Sequence, residues 1–366
     1  MNIVRHVVPL LALGVSLTAC SSPPTPAGAD PTSLGSDPPE LSAQALTCRL
    51  PNLYVAERGA STVAAFDAHA TGEVRPLLTL HGPHTQLSDV WGVAFDATGA
   101  LYTQNFIGNG YLNVFAPGAA GDARPLRTSR VGPDARTVAV DAQGYVYVAT
   151  SQSTQQIRVY SPGSQGDPAR DFNVVPVRNI ELPNPYALGF TPSTLSVDSS
   201  GHLLVAAQGA QGNAVLVYQG GASGDPQPIR ILTGSSTRLG ATRSAYGSPF
   251  TVTFSPLTGR LYTAVSDGAS TRINVFPGDA SGNVAPLRTI AGPATGLTGL
   301  VVTGLADDPC QGNIYALSAD SVFGKSGRVL VFGRLAQGNV APLRRFTETD
   351  THLADSLGMA FAPLTP

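Results

Sequence analysis

The stretch GNVAPLRTI, Gly282 to Ile290, decides the fold, because it is one of six copies of a nine-residue phrase. The others are GEVRPLLTL from Gly72, GDARPLRTS from Gly121, GDPARDFNV from Gly166, GDPQPIRIL from Gly224 and GNVAPLRRF from Gly338. Successive copies begin 49, 45, 58, 58 and 56 residues apart. Self-similarity at this period belongs to solenoids, propellers and arrays, where each repeat is one supersecondary unit that must stack on its neighbours to bury a core.

Outward from each phrase the same short apolar runs recur in the same order. The second repeat reads WGVAFD (91–96), a turn, LYTQ (101–104), a loop, YLNVF (111–115), a polar turn, then RPLRTS. Each run is four to six residues, β-branched or aromatic, and bounded by Gly, Pro, Asn or Asp, which is the pattern of a strand. Four such strands per repeat predict an all-β, six-bladed β-propeller with four antiparallel strands in each blade. The expected inner strands, a, are 91–96, 136–141, 193–198, 250–255, 299–304 and 357–362. Strands b are 53–57, 101–104, 146–150, 203–207, 261–265 and 314–318; strands c are 62–66, 111–115, 157–160, 215–218, 273–276 and 329–332. The phrase itself is the outer strand d, where a proline at the strand start is tolerated and Arg127, Arg288 and Arg344 discourage edge pairing.

The folded part begins with a b strand and ends with an a strand, so the C-terminal inner strand completes the blade of the N-terminal three and closes the ring. Cys48 and Cys310 precede strand b by five and four residues, on blades that are neighbours only in a closed ring. An even pair in an exported chain reads as a disulfide.

Export is read from the first nineteen residues, MNIVRHVVPLLALGVSLTA, whose apolar run is too short for a spanning helix and suits a signal peptide. Leu17-Thr18-Ala19-Cys20 resembles the lipobox of bacterial lipoproteins. That resemblance implies cleavage before Cys20, lipidation of Cys20 and stable membrane anchoring by several acyl chains. Ser21 in place of Asp after the cysteine favours the outer membrane where one exists. Residues 20–46, rich in Pro, Ser and Gly, read as a disordered tether, and 47–366 as the propeller. With 13% charged residues and a net charge of −2, nothing points to nucleic acid as a partner.

GVAFDATGALYT and TVAVDAQGYVYVAT are similar to the NHL repeat: an apolar inner strand, Asp, a Gly-ended turn, a Tyr-containing second strand and a third strand ending Val-Phe or Val-Tyr. The later repeats depart in the turn, where Ser255 and Asp307 precede longer connections and Ala362 ends the last inner strand. The resemblance implies a fold and leaves function to the site, because this architecture hosts unrelated activities.

Strand alternation puts the a–b and c–d turns on one face with the tether. The b–c and d–a loops lie on the other face, around the mouth of the central channel, and a binding site is expected there. Asp96, Asp141 and Asp198 end inner strands two or three residues before a Gly and are expected to bond turn amides on the tether side. HGPHTQLSDVWG brings His81, His84, Asp89 and the only tryptophan, Trp91, within eleven residues, and THLADS adds His352 and Asp355 from the next blade of a closed ring. Arg136, Tyr186, Arg243 and Tyr246 join this candidate ligand-binding rim, with Phe106, Tyr111 and Phe323 beside them. No HExxH-type spacing, nucleophile elbow or phosphate loop is present.

Lactonases of the gluconolactonase and paraoxonase type, which share the six-bladed form, hold a divalent cation on Glu, Asn and Asp at the inner ends of strands. The inner strands here carry no Glu and no Asn. The sequence therefore favours a non-enzymatic, lipid-anchored binding platform of the cell envelope for a peptide, glycan or protein partner, with no cofactor. The alternatives are a hydrolase or lyase that uses a divalent cation at the channel mouth, and a purely structural envelope protein.

Overall fold

The structure is a computed structural model and describes Cys48 and residues 51–364, apart from 107–109, 133–134, 151–155, 164–173, 184–185, 188–193, 210–211, 241–249, 267–269, 325, 349–352 and 354. Six antiparallel four-stranded sheets stand around a common axis as a six-bladed β-propeller. Blade 1 is assembled from both ends of the chain: Ser356–Phe361 is its inner strand, followed outward by Leu53–Glu57, Thr62–Phe66 and Leu78–Leu80. Blades 2, 3, 5 and 6 begin with inner strands Val90–Phe95, Ala135–Val140, Phe250–Ser255 and Val301–Asp307 and run outward in chain order. In blade 4 the strand Leu203–Gly209 pairs with two short inner pieces, Tyr186–Ala187 and Leu195–Val197.

Every strand b is buried on both sides because a blade is sandwiched between two others. In Leu53–Glu57, Leu53 and Val55 pack with blade 6 residues such as Tyr315 and Phe346, while Tyr54 and Ala56 pack with blade 2 residues such as Val93 and Phe115. Six such core clusters occupy the six blade junctions. Fully burying a Val, Leu or Phe side chain contributes roughly 1.5–3 kcal/mol, so the repeated junctions carry most of the stability. Inner strands also touch directly. A Cβ on Gly358 would lie 3.0 Å from the Trp91 carbonyl oxygen and 3.2 Å from the Gly92 Cα, so the inner strands of blades 1 and 2 approach closely only because glycine stands there. Between blades 4 and 5 the hydroxyls of Thr194 and Ser196 accept from the Val252 and Phe254 amides, at 2.5 and 3.1 Å. These two inner-strand hydroxyls are thus spent on the ring.

The nine-residue phrase is a staple between blades. Its leading glycine docks in parallel on the outer strand of the preceding blade: Gly121 on Leu80, Gly224 on Ile180, Gly282 on Leu232, Gly338 on Ile290 and Gly72 on Phe346. The Gly282 amide donates to the Ile231 oxygen at 2.7 Å, and the Thr233 amide returns a bond to the Gly282 oxygen at 3.1 Å. The following Asp or Asn accepts from a backbone amide in the 3-10 turn of that preceding blade: Asp122 from His84, Asn283 from Ser236 and Asn339 from Ala294, each at 2.7 Å.

Two expectations about this phrase need correction. The third outer strand is Arg178–Glu181, preceded by Pro176-Val177, whereas GDPARDFNV from Gly166 falls almost entirely outside the described residues. An insertion separates glycine from Pro-Val-Arg in that repeat, and the shared Gly-Asp-Pro opening drew the alignment to the wrong place. The arginines, for their part, do not face outward as edge guards. Arg230, Arg288 and Arg344 reach the carbonyls of Gly278, Arg334 and Ala68 in the c–d turns of the next blades, at 2.7, 2.7 and 3.2 Å, since a guanidinium has donors enough to span the gap.

Cys48 and Cys310 form a disulfide with a Cα–Cα separation of 5.5 Å, tying the chain just before blade 1 to the a–b turn of blade 6. Around it pack Ala68, from a c–d turn, and Phe361. This end of the propeller, where all a–b and c–d turns lie, is the disulfide face; the opposite end is the loop face.

Candidate functional site

On the disulfide face the repeated aspartates are engaged in their turns. Asp96 accepts from the Thr98 and Ala100 amides and from the Tyr102 hydroxyl, and Asp141 from Gln143, Tyr145 and Tyr147 in the same way. Asp198 accepts from Ser200 and His202. In blade 6, whose inner strand has a bulge between Val302 and Gly304, the turn is capped by Asp308, one residue later than expected, because that strand runs Val301–Asp307 rather than 299–304 and keeps Asp307 paired with Ile314. Asp307 is thereby released from the turn.

Bulges of this kind recur at the loop-face end of the inner strands, and they build the site. Register shifts let one residue fall out of pairing in each of blades 1, 2, 3 and 6, namely Leu357, Trp91, Arg136 and Thr303. A bulge inserts an unpaired residue and re-aims its side chain, which is why bulges gather beside functional sites. Thr303 turns its hydroxyl to the Ser356 carbonyl, 2.8 Å away. Trp91 and Leu357 converge with Phe106, Val301 and Val322 in one small cluster. The Arg136 guanidinium lies 4.5 Å from the Trp91 ring centre and 4.8 Å from that of Phe106. Phe323, from the b–c loop of blade 6, meets Trp91 edge-on with ring centres 6.2 Å apart.

Arg58, from the b–c turn of blade 1, ties this mouth together. Its Nε donates to Asp355 Oδ1 at 3.0 Å, and a terminal nitrogen lies 2.6 Å from Oδ2, a bidentate pair. The other terminal nitrogen donates to Asp89 at 3.2 Å, and the Trp91 indole donates to the second Asp89 oxygen at 3.2 Å. The guanidinium also stacks on Phe323, 4.4 Å from the ring centre. Asp89 and Asp355, each two residues before the bulged residue of its blade, occupy the left-handed region, with φ of 53° and 56°. Holding non-glycine residues there costs about 1 kcal/mol each and makes sense where the side chain is needed. Burial raises the Asp355 pKa and outweighs the bond to Arg58 that lowers it, with the Asp89 charge adding to the rise. Burial pulls the Arg58 pKa down, but the two carboxylates more than offset it.

Beneath the mouth a cavity of about 770 Å³ follows the ring axis. Its wall is mainly apolar, with Val138, Leu195, Val252 and Met359 among the lining residues. Asp307 lines it near the disulfide face; burial raises its pKa to about 7, a bond to Ser255 opposes the rise and Asp308 adds to it.

Of the sequence-derived rim, Asp89, Trp91, Arg136 and Asp355 therefore meet at one mouth, with Phe106 and Phe323. His81 and His84 do not belong to it. Their loop forms a 3-10 turn, Pro83–Thr85, matched by Ser235–Thr237 and Pro293–Thr295, and His84 Nδ1 lies 2.5 Å from Asp122 at the staple. Tyr111 stands apart, near Arg130. Tyr186 pairs its backbone with Gly209, and its side chain lies outside the described residues, as do Arg243, Tyr246 and His352. Sequence reasoning missed Arg58, whose signal was available: in LYVAER, alternation sends Tyr54, Ala56 and Arg58 towards blade 2, where Asp89 stands. Among the described residues no group of three or more His, Cys, Asp or Glu side chains is placed to hold a metal ion.

No family model matches the chain, and no curated protein matches it. Among solved structures it is similar to a protein of unknown function from Bacteroides caccae, with a TM-score of 0.57 and 11% identity over 85% of this chain and 98% of that one. A protein from Lactobacillus plantarum is more distant, with a TM-score of 0.47 and 15% identity over 78% of this chain and 79% of that one. At such identity the first likeness speaks for the propeller fold alone.

Proposed function

We propose that this chain is an exported, lipid-anchored propeller that serves as a binding platform in the cell envelope and takes its ligand at the loop-face mouth. The observation that carries this reading is the run of bulges in blades 1, 2 and 3, which turns Leu357, Trp91 and Arg136 out of the repeat and towards one another. Arginines stacked on aromatic rings suit a ligand that pairs a flat or ring-shaped body with a carboxylate, such as an acidic glycan or a peptide end. The rigid ring supplies preorganisation, so little entropy is lost at the rim on binding. Trp91 is the only tryptophan, so its emission reports directly on the mouth. Titration with uronic-acid oligosaccharides and carboxylate-ended peptides should give a saturable change that Arg136→Gln removes. Emission unmoved by every such probe, together with pull-downs from envelope extract that are identical for wild type and Arg136→Gln, would sink the reading.

A second reading, a hydrolase acting on a lactone or ester, draws on Asp307, whose raised pKa lies where a general acid or base works best. A divalent cation at the channel mouth belongs to the same reading, as does a lyase in place of a hydrolase. Turnover of an ester panel that is lost in Asp307→Asn would establish it.

A further inference from the structure

The exposed large apolar side chains of this protein are concentrated on one face. Of ten among the described residues, nine lie in the c–d connections, at the start of the outer strands or at the C-terminus: Leu77, Leu126, Val175, Val177, Ile229, Val284, Leu335, Leu343 and Leu364. Phe323, at the mouth, is the tenth. The arrangement is periodic. In all six blades the residue after the phrase's proline donates its amide to the carbonyl just before the closing aromatic of strand c: Leu77 to Ala65, Leu126 to Val114, Val177 to Val159, Ile229 to Val217, Leu287 to Val275 and Leu343 to Val331. Five of these six side chains are exposed, from 46% for Ile229 to 62% for Leu343, and Leu287 is half-buried. Each blade thus places an apolar group at the same height near the disulfide face, and exposed Pro256 adds another at the end of the cavity.

Scattered surface leucines need no explanation, but a ring of them at one height does. We propose that the disulfide face lies flat on a phospholipid bilayer, with this apolar crown set among the headgroups. The proposal rests on the lipid-anchor reading for its occupant. Cys48 enters the propeller on this face through its bridge to Cys310, and Cys20, the residue read as lipidated, precedes it by 28 positions. At about 3.4 Å per residue that tether reaches far enough to let the propeller stand off, so contact has to come from the face itself. A crown spread around the whole circumference, with no single pocket, suits a planar fluid surface, and a net charge of −2 leaves apolar insertion as the attractive term. The loop-face mouth then points away from the membrane.

Residues 47–366 contain every strand of the ring and its disulfide, so the propeller is tested without its leader or lipid. It should float with vesicles of phosphatidylethanolamine and phosphatidylglycerol. The quadruple variant Leu77→Ser, Leu126→Ser, Ile229→Ser, Leu343→Ser should lower the partition coefficient at least tenfold with an unchanged melting temperature, because all four side chains are already exposed. Phe323→Ser, on the opposite face, should float as wild type does. A propeller that stays in solution, or a quadruple variant that floats like wild type, overturns the proposal. So does concentration-dependent dimerisation abolished by the same substitutions without vesicle binding, which would assign the crown to a second copy. Mass spectrometry of Cys20 from bacterial membranes separates the two readings: acylated Cys20 with a non-floating propeller removes the docking face and keeps the anchor, while unmodified Cys20 with a floating propeller does the reverse.

Discussion

The disulfide face and the loop face are built from the same six repeats by opposite means. On the disulfide face the blades repeat one another: an Asp caps the a–b turn in four of them, an arginine crosses to the next turn from three, and a glycine docks on the previous outer strand at five junctions. At the mouth blades 1 and 2 share a left-handed Asp before a bulge, and the other side chains differ from blade to blade. Blade 1 supplies Arg58, Asp355 and Leu357, blade 2 Asp89 and Trp91, blade 3 Arg136 and blade 6 Phe323. Repetition gives closure and stability; different side chains set on the recurring bulges give a single asymmetric site on a nearly symmetric frame.

The largest test of this contrast breaks the frame. The disulfide closes a loop of 262 residues, and its loss should cost roughly 2–5 kcal/mol. Cys310→Ser, which also leaves Cys48 reduced, should lower the calorimetric melting temperature by several degrees while Trp91 emission at low temperature stays as in wild type. A mouth that changes as much as the frame would mean that the two ends are not separable.

Next comes the hub. Arg58→Met removes the cation but keeps an apolar stem over Phe323, leaving the buried Asp89 carboxylate without the guanidinium and with the Trp91 indole still donating to it. An uncompensated buried carboxylate makes this a loss of about 3 kcal/mol, seen as a lower urea midpoint at an unchanged slope. Ligand binding should fall with it. Equal loss from Arg58→Met and from the double variant Arg58→Met, Asp89→Asn would contradict the argument, because removing both charges should recover part of the stability.

A smaller effect sits at the junction of blades 1 and 6. Glu57 is fully buried, and burial, with Glu348 adding to it, pushes its carboxyl up to about 10 from 4.5. A folded pKa above the unfolded one means that the folded state keeps a proton the unfolded chain releases. The stability associated with that proton is present below pH 4.5 and is lost as pH climbs towards 10. Glu57→Gln should therefore match wild type near pH 4 and exceed it increasingly as pH rises to 8. A difference that does not grow with pH would place the strain elsewhere.

These two regions were unequally legible in the sequence. Strand order, ring closure, the disulfide and the capping aspartates could be read because each is local or repeats, and repetition averages out exceptions. The third outer strand was misplaced where an insertion split the phrase, and Asp308 replaced Asp307 as the cap because the blade 6 inner strand ends at Asp307 and not at 304. Asp89, Trp91, Arg136 and Asp355 were recognisable as loop-face residues of the right chemistry. Their meeting was not, since a bulge leaves no mark on composition, and Arg58 was hidden in a turn beside a regular strand. His81 and His84 looked like site residues because they neighbour Trp91 in the chain, yet the 3-10 turn carries them to the staple.

That turn supplies the finest distinction between frame and site. Ser236 and Ala294 stand where His84 does, and all three amides donate to the second residue of the next phrase. If the histidine belongs to the frame, its imidazole is replaceable while the capping oxygen is not. Asn283→Ala and Asn339→Ala should each cost about 1 kcal/mol, the usual worth of a lost cap, and Asp122→Ala should destabilise in the same sense. His84→Ala, by contrast, should leave both the melting temperature and Trp91-reported binding near wild type, because its ring is half exposed and its amide keeps its bond to Asp122. Loss of binding in His84→Ala at unchanged stability would return that histidine to the site and extend the mouth out to the blade edge.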